Sequence, residues 1–260
     1  MTSTTHSPHP GRTPFTNRLL VALTRADHLR IESFLEPVTL AFGEVLYEVG
    51  DAVRYVYFPT DSLVSLLTLV GSRHALEVGM VGPEGMVGTA LALGVNASPF
   101  RVMVQGAGKA MRMEARPFLN EFHSGQSLQR QVHLCTHALL SQIAQTAACN
   151  RFHSIEERLA RWLLMTRDRV GSDHFHITQE FLGNMLGVRR VGVTNAASAL
   201  RSRALIDYHR GNIHIIDGPG LQGASCSCYE PLTDRRTQTR VDVVQRTDQP
   251  ERRHYPRVHV

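Results

Sequence analysis

The sequence predicts an α+β chain in three parts: a β-rich first half, one long helix, and a small helical domain closed by a β-hairpin. Three observations carry this. Short runs rich in β-branched and aromatic residues, each closed by turn formers, recur between residues 38 and 113. After Pro117 the apolar spacing changes to threes and fours. Beyond residue 155 two short helical patterns flank a glycine and lead into a hairpin. At 260 residues the chain is long enough for two ordinary domains.

Residues 1–16 are rich in Thr, Ser, Pro and His and read as a loose, disordered leader. From Asn17 to Leu35 the apolar residues Leu19, Leu20, Leu23, Leu29, Ile31 and Phe34 make an amphipathic helical pattern, broken near Asp27. The strand-like runs then follow: Val38 to Phe42, Glu44 to Tyr47, Val53 to Phe58, Leu63 to Val70, His74 to Val81, Phe100 to Gln105 and Lys109 to Met113. Many short strands at this spacing predict an antiparallel sandwich or barrel. Leu128, Val132, Cys135, Leu139 and Ile143 next fall on one face of a long helix ending near Asn150. That stripe resembles an a/d seam, so it serves either self-association or packing on its own domain.

Ile155 to Val170 is amphipathic, with Ile155, Leu159, Trp162, Leu163 and Met165 facing inward. Ile177 to Met185 is a short helix that Thr178 can cap, and Glu180 in its first turn suits the helix dipole. Gly187 ends it, and Arg189 to Leu200 forms the next helix. A hairpin over 205–216 turns at His209-Arg210-Gly211. The tail beyond Leu232 has little apolar content, which predicts disorder.

Charge and composition narrow the function. The net charge is +5; residues 1–150 balance, while residues 151–217 carry 10 basic and 7 acidic groups. An anionic partner for the second half follows. No stretch is apolar enough to span a bilayer, and the first residues carry no secretory h-region. The four cysteines are too few and too clustered for a disulfide framework, so the expected compartment is the cytoplasm. No Ser-His-Asp, Walker or dinucleotide fingerprint occurs, and the expectation is a protein that is not an enzyme.

Helix, glycine turn, then a helix with basic residues at its start is the arrangement of a helix-turn-helix. Its first helix crosses the DNA backbone while the second reaches base edges in the major groove. Leu182, Met185, Leu186, Val193 and Leu200 would join the two helices. Thr178, Arg189, Arg190, Val191, Thr194, Asn195 and Ser198 are the candidate DNA-contacting residues, with Arg210 at the tip of a wing that touches phosphate. The rival reading is a sensor or interaction module whose winged helix makes protein contacts.

The order of these parts resembles the Crp–Fnr family of bacterial transcription factors (cyclic-AMP receptor and fumarate-nitrate regulator). Ile155-Glu-Glu-Arg-Leu-Ala-Arg-Trp-Leu-Leu, then Ile177-Thr-Gln-Glu-Phe-Leu-Gly-Asn-Met-Leu-Gly-Val-Arg-Arg, is similar to its hinge-to-recognition-helix signature. The resemblance implies a cyclic-nucleotide-binding-like β-roll sensor domain over 17–122. It further implies a dimerisation helix over 123–152 and a winged helix-turn-helix over 153–218, with 219–260 left as a mostly disordered extension. It also implies a homodimer joined along the long helix, on a palindromic operator of double-stranded DNA, with RNA polymerase as a further candidate partner.

The departures from the family pattern are informative. Its cyclic-nucleotide-binding members hold ribose and cyclic phosphate with a Gly-Glu pair and a later Arg-Ser or Arg-Thr pair. Here Gly88 is followed by Thr89, and Arg101 is followed by Val102. One arginine without its neighbours is a poor phosphate site. Cyclic AMP is therefore not the expected effector; the effector is left open and no cofactor is expected. The family's Arg-Glu-x-x-x-Arg reader becomes Arg190-Val191-Gly192-Val193-Thr194-Asn195. Arg190 suits guanine, Asn195 adenine, and Val191 a thymine methyl.

Metal chemistry reads as absent. His133 and His137 sit four apart on the long helix without a further ligand of clear geometry, since Cys135 points elsewhere. Cys226-Ser-Cys228 reads as two reduced, inert thiols on a mobile segment in preference to a redox pair.

Overall fold

The computed structural model describes residues 17–71 and 74–232. The expected leader over 1–16, and the extension beyond 232, lie outside the described residues.

Two antiparallel sheets form the first domain. Strands β1 (Glu36–Leu40), β7 (Gly108–Glu114) and β3 (Tyr55–Pro59) make one, in the order β1-β7-β3. Strands β2 (Val45–Tyr47), β6 (Arg101–Gly106), β4 (Leu63–Val70) and β5 (His74–Val81) make the other, in the order β2-β6-β4-β5. Val56, Phe58, Val64, Leu66, Val102, Val104 and Met113 are buried between them. The sandwich expected from the turn spacing is thus present.

Helices close the open side. α1 (Arg18–Val21) and α2 (Arg25–Glu32) precede the strands, and α3 (Ala115–Ser124) and α4 (Gln126–Phe152) follow them. The first two separate at Thr24, not near Asp27 as the sequence predicted. Thr24 caps α2 by accepting the Asp27 N–H, and Asp27 is itself buried inside the helix. Its carboxylate accepts from the Ser127 amide and hydroxyl and from Arg30, which fastens α2 to the start of α4. A carboxylate at this depth needs those donors.

The α4 stripe packs on its own domain. Leu128 and Val132 are buried in the sandwich core, and Cys135 and Leu139 pack against it. The apolar period that resembled a dimer seam is satisfied by α4's own sheet, so Leu128 and Val132 do not face outward. Ile143 is half-buried.

The second domain follows a short joint at His153 and Ser154. Ser154 starts α5 (Ile155–Val170) with a capping box: its hydroxyl accepts from the Glu157 amide, and the Glu157 carboxylate accepts from Ser154. Then come β8 (His174–His176), α6 (Gln179–Leu186), α7 (Arg190–Ser202), β9 (Ile206–His209), β10 (Asn212–Ile215) and α8 (Gly218–Ala224). β8 was not foreseen; it pairs with β10 on the edge opposite β9. α8 and the turn after it also replace part of the extension expected to be disordered over 219–260. Among the described residues no helix is long and apolar enough to cross a membrane.

The two domains share a sheet. Along β4 the side chains alternate. Val64 and Leu66 enter the sandwich core, whereas Leu63 and Leu67 join the core built on Leu159, Trp162 and Leu163 of α5. β6 repeats the pattern, with Val102 and Val104 inward and Met103 against the second core. On this second face lies a buried polar chain. Trp162 Nε1 donates to Glu77 Oε1 at 2.9 Å, Ser65 Oγ lies 2.6 Å from Glu77 Oε2 and 2.6 Å from Gln105 Oε1, and Gln105 reaches Thr166 Oγ1 at 3.3 Å.

Burial pushes the Glu77 carboxyl up to about 7, against the smaller opposing pull of Ser65, Trp162, Arg169 and Arg161. The folded state therefore holds this proton at pH values where the unfolded chain has lost it. From pH 5 to 8 this group makes stability fall, with a slope approaching about 1.4 kcal/mol per pH unit between the two values. Glu77→Gln keeps a neutral acceptor for Trp162. The expected result is a flatter stability profile and, at pH 8, a variant at least as stable as the parent; urea unfolding at pH 5, 6, 7 and 8 checks both.

Candidate functional site

The helix-turn-helix is built on apolar contacts. Leu182, Met185, Leu186, Val193 and Leu200 are all buried where α6, α7 and α5 meet. Thr178 caps α6 by accepting the Phe181 N–H at 3.2 Å. The turn at Gly187 adopts φ +63°, the left-handed conformation in which glycine ends helices at low cost. The buried Arg158 of α5 donates to the Leu186 carbonyl and so satisfies a C-terminal group of α6.

That packing leaves one face of α7 outward. Arg189, the N-cap, is exposed, and so are Arg190, Val191, Asn195 and Ser198; Val191 is 64% exposed. An apolar side chain so exposed at a helix start is suited to contact with another surface. Thr194 differs from the sequence expectation. It is half-buried, and its hydroxyl lies 2.9 Å from Gln179 Oε1 and 3.0 Å from the Arg190 carbonyl, tying α7 to α6.

The wing forms where the sequence placed it. β9 and β10 pair antiparallel, and Arg210 (φ +48°) and Gly211 (φ +85°) make the two-residue turn. Positive φ at both positions matches the twist of the strands. Arg189, Arg190 and Arg210 form no ion pair among the described residues, whereas Arg201 pairs with Asp207 and Arg203 with Glu156. Arg189, Arg190 and Arg210 thus place three exposed positive charges, none in an ion pair, around α7 and the wing.

A cavity of about 170 Å³ lies between the sandwich and α4. Tyr47, Val53, Met86, Val87 and Val102 line one wall and Thr136, Leu139, Leu140 and Ile143 the other. Gly88 and Thr89 are on its rim, with Gly88 at φ +96° and a hypothetical Cβ only 3.0 Å from Val56 Cγ1. Arg101 does not line it. Its Nε and Nη2 each donate to Glu48 at 2.8 Å, a bidentate pair facing solvent. The structure brings Gly88, Thr89 and Val102 together and turns Arg101 away.

The cysteines also depart from expectation. Cys226 and Cys228 are not on a mobile segment: both are buried against Cys149, beside His153. His133, by contrast, packs edge-on against Phe122. The signal was in the sequence as Cys149 and His153, four apart at the end of a helix. Only the fold brings the Cys-x-Cys pair beside them.

Residues 157–224 match the family described as the Crp-like helix-turn-helix domain. No curated protein sequence matches the chain. Among solved structures, the fold is similar to that of a putative transcriptional regulator of the Crp/Fnr family from Eubacterium rectale. That match is 16% identical, covers 79% of this chain and 96% of the other, and has a TM-score of 0.62. A CRP-family transcriptional regulator from Thermus thermophilus is 19% identical, with coverage of 75% and 99% and a TM-score of 0.63. FixK2 from Bradyrhizobium japonicum is 14% identical, with coverage of 74% and 98% and a TM-score of 0.63.

Proposed function

We propose that this chain, which carries a Crp-like helix-turn-helix domain on the fold of Crp/Fnr transcription regulators, is a cytoplasmic regulator that reads DNA through α7. The observation that carries the reading is the outward face of α7. Arg189, Arg190, Val191, Asn195 and Ser198 stand there together, and Arg210 stands at the wing tip. Their three guanidinium groups have no acidic partner among the described residues, which leaves them for phosphates and base edges. Arg190 is assigned to guanine, Asn195 to adenine and Val191 to a thymine methyl. Thr178, at the start of the first helix, is assigned to the phosphate backbone. Thr194 holds α7 in register and is not assigned a base.

Arg190→Ala is expected to cost about 1–3 kcal/mol in operator binding and to relax preference at one guanine per half-site. Arg210→Ala should instead weaken binding to every sequence alike and flatten the salt dependence. Gel-shift titrations at two salt concentrations, on a selected operator and on random DNA, separate the two behaviours. Unchanged sequence preference in Arg190→Ala would disprove the register assigned to α7.

We further infer a homodimer on a palindromic operator, with its seam on a different stripe of α4. His133, His137, Leu140, Ala144 and Ala147 step by 4, 3, 4 and 3, an a/d period, and all are exposed. Leu140 is 60% exposed, and the two alanines permit close helix approach. Leu140→Glu should give monomers in sedimentation while leaving the thermal unfolding of the fold intact. A dimer that survives this change would move the seam off α4.

The pocket supports control without cyclic AMP. Its polar lining is Tyr47, Thr89, Ser98 and Thr136, with no cation, and Arg101 is held by Glu48. A cyclic phosphate would enter without a charge partner, a costly desolvation. Calorimetry with cyclic AMP or cyclic GMP should detect no binding at millimolar ligand. A micromolar dissociation constant that Arg101→Ala removes would reverse this reading.

A further inference from the structure

Four side chains that belong neither to the α7 surface nor to the pocket meet at one point. Cys149 lies in the last turn of α4 and His153 caps that helix, so the two face the same side. Cys226 and Cys228 follow α8 in a turn closed by the Tyr229 N–H, which donates to the Cys226 carbonyl at 3.0 Å. The three cysteines are buried and His153 is half-buried.

The distances discriminate among the chemistries open to such a cluster. One ligand atom from each residue lies within 4.8 Å of all the others. Cys149 Sγ and Cys226 Sγ are 3.4 Å apart, and Cys228 Sγ and His153 Nδ1 are 3.5 Å apart. A disulfide would need about 2.05 Å. A tetrahedral ion with metal–sulfur bonds of about 2.3 Å and metal–nitrogen bonds of about 2.0 Å sets its ligand atoms about 3.5–3.8 Å apart. These two separations are close to the edges of one coordination tetrahedron, and no pair of donors exceeds 4.8 Å, too near each other to surround a multi-iron cluster.

We propose that Cys149, His153, Cys226 and Cys228 form a structural zinc site. Three sulfurs and one imidazole in tetrahedral array suit zinc among the common divalent ions, and four protein ligands leave no open position for a reacting water. The surroundings fit the charge. Three thiolates and one dication sum to minus one, and two buried arginines of α5 stand beside them. Arg161 donates from Nε to the Cys228 carbonyl at 3.3 Å, and its buried Nη2 has no hydrogen-bond acceptor. Arg158 lines the same cleft as Cys149 and Arg161. The Gln145 side-chain amide lies 2.8 Å from Cys228 Sγ, placed to orient that ligand from outside the shell.

The site would join two parts of the chain across the joint at Ser154. Two ligands come from the end of α4 and two from the turn after α8, which packs on α5. Zinc would fix the last segment of the recognition domain to the helix that leaves the sensor domain.

The test is metal uptake by the full chain, reduced and stripped with a chelator, using cobalt(II) as the probe. The expected result is one cobalt per chain, with thiolate-to-cobalt charge transfer and the intense d–d bands of tetrahedral geometry, displaced by one equivalent of zinc. Cys149→Ser and Cys226→Ser should each weaken uptake at least tenfold. His153→Cys should retain tetrahedral absorption with a shifted charge-transfer band, which a merely structural histidine would not produce. If a cysteine variant fails to fold, the stoichiometry and spectrum of the parent chain still decide. Weak octahedral absorption, substoichiometric uptake, or a Cys149–Cys226 disulfide forming in the presence of zinc would overturn the proposal. None of these readouts depends on DNA, so the outcome is separate from the reading of α7.

Discussion

Glu77 lies buried between a β-sheet and the first helix of the recognition domain, where its carboxyl meets Trp162 and Ser65. An isolated charge at this depth is costly, so the site holds together only while proton and hydrogen bonds are matched. Ser65 has one proton and two acceptors within reach, Glu77 and Gln105. A protonated Glu77 resolves the conflict by donating to Ser65 Oγ, which then donates to Gln105. The chain of bonds runs from β5 through β4 and β6 to Thr166 of α5. Such a chain is directional in a way that apolar packing is not. It fixes the rotation of α5 against the sheet, and the placement of α6 and α7 follows, because both are packed on α5.

Further polar contacts fix the elements on either side of this chain of bonds. Arg169 pairs with Glu84 just beyond β5, and Gln142 of α4 accepts the Met80 N–H. Arg158 carries the constraint onward to the Leu186 carbonyl at the end of α6. Across the boundary the second domain is held by Trp162 on Glu77, Gln105 on Thr166 and Arg169 on Glu84, each of which would leave an unpaired group if the domain turned away.

Much of this was legible in the sequence because it is periodic. Alternation and turn residues gave the strands, and the threes and fours gave the helices, within a few residues at each end. The helix-turn-helix and its hairpin were legible because their chemistry is local: Thr178, Gly187 and Arg210-Gly211 each act within four residues. What was hidden is what depends on distant partners. The stripe from Leu128 to Ile143 fits a seam and a core equally well, and only the neighbouring sheet decides between them. Arg101 keeps the position of the family's phosphate arginine, and only Glu48, far away in sequence, shows what its charge meets. The cysteines at 226 and 228 lie over 70 residues from Cys149, a separation that periodicity cannot bridge.

β4 has a mechanical consequence. Leu66 faces the pocket, while Leu63 and Leu67 on the opposite face form part of the floor on which α5 rests. The strand is a party wall one backbone thick. Close-packed interiors transmit displacement instead of absorbing it. Anything that swells the pocket pushes this wall outward into the next room, and the α7 arginines ride on the furniture against its far side. One strand is the boundary of both compartments, and α5 alone stands between it and α7.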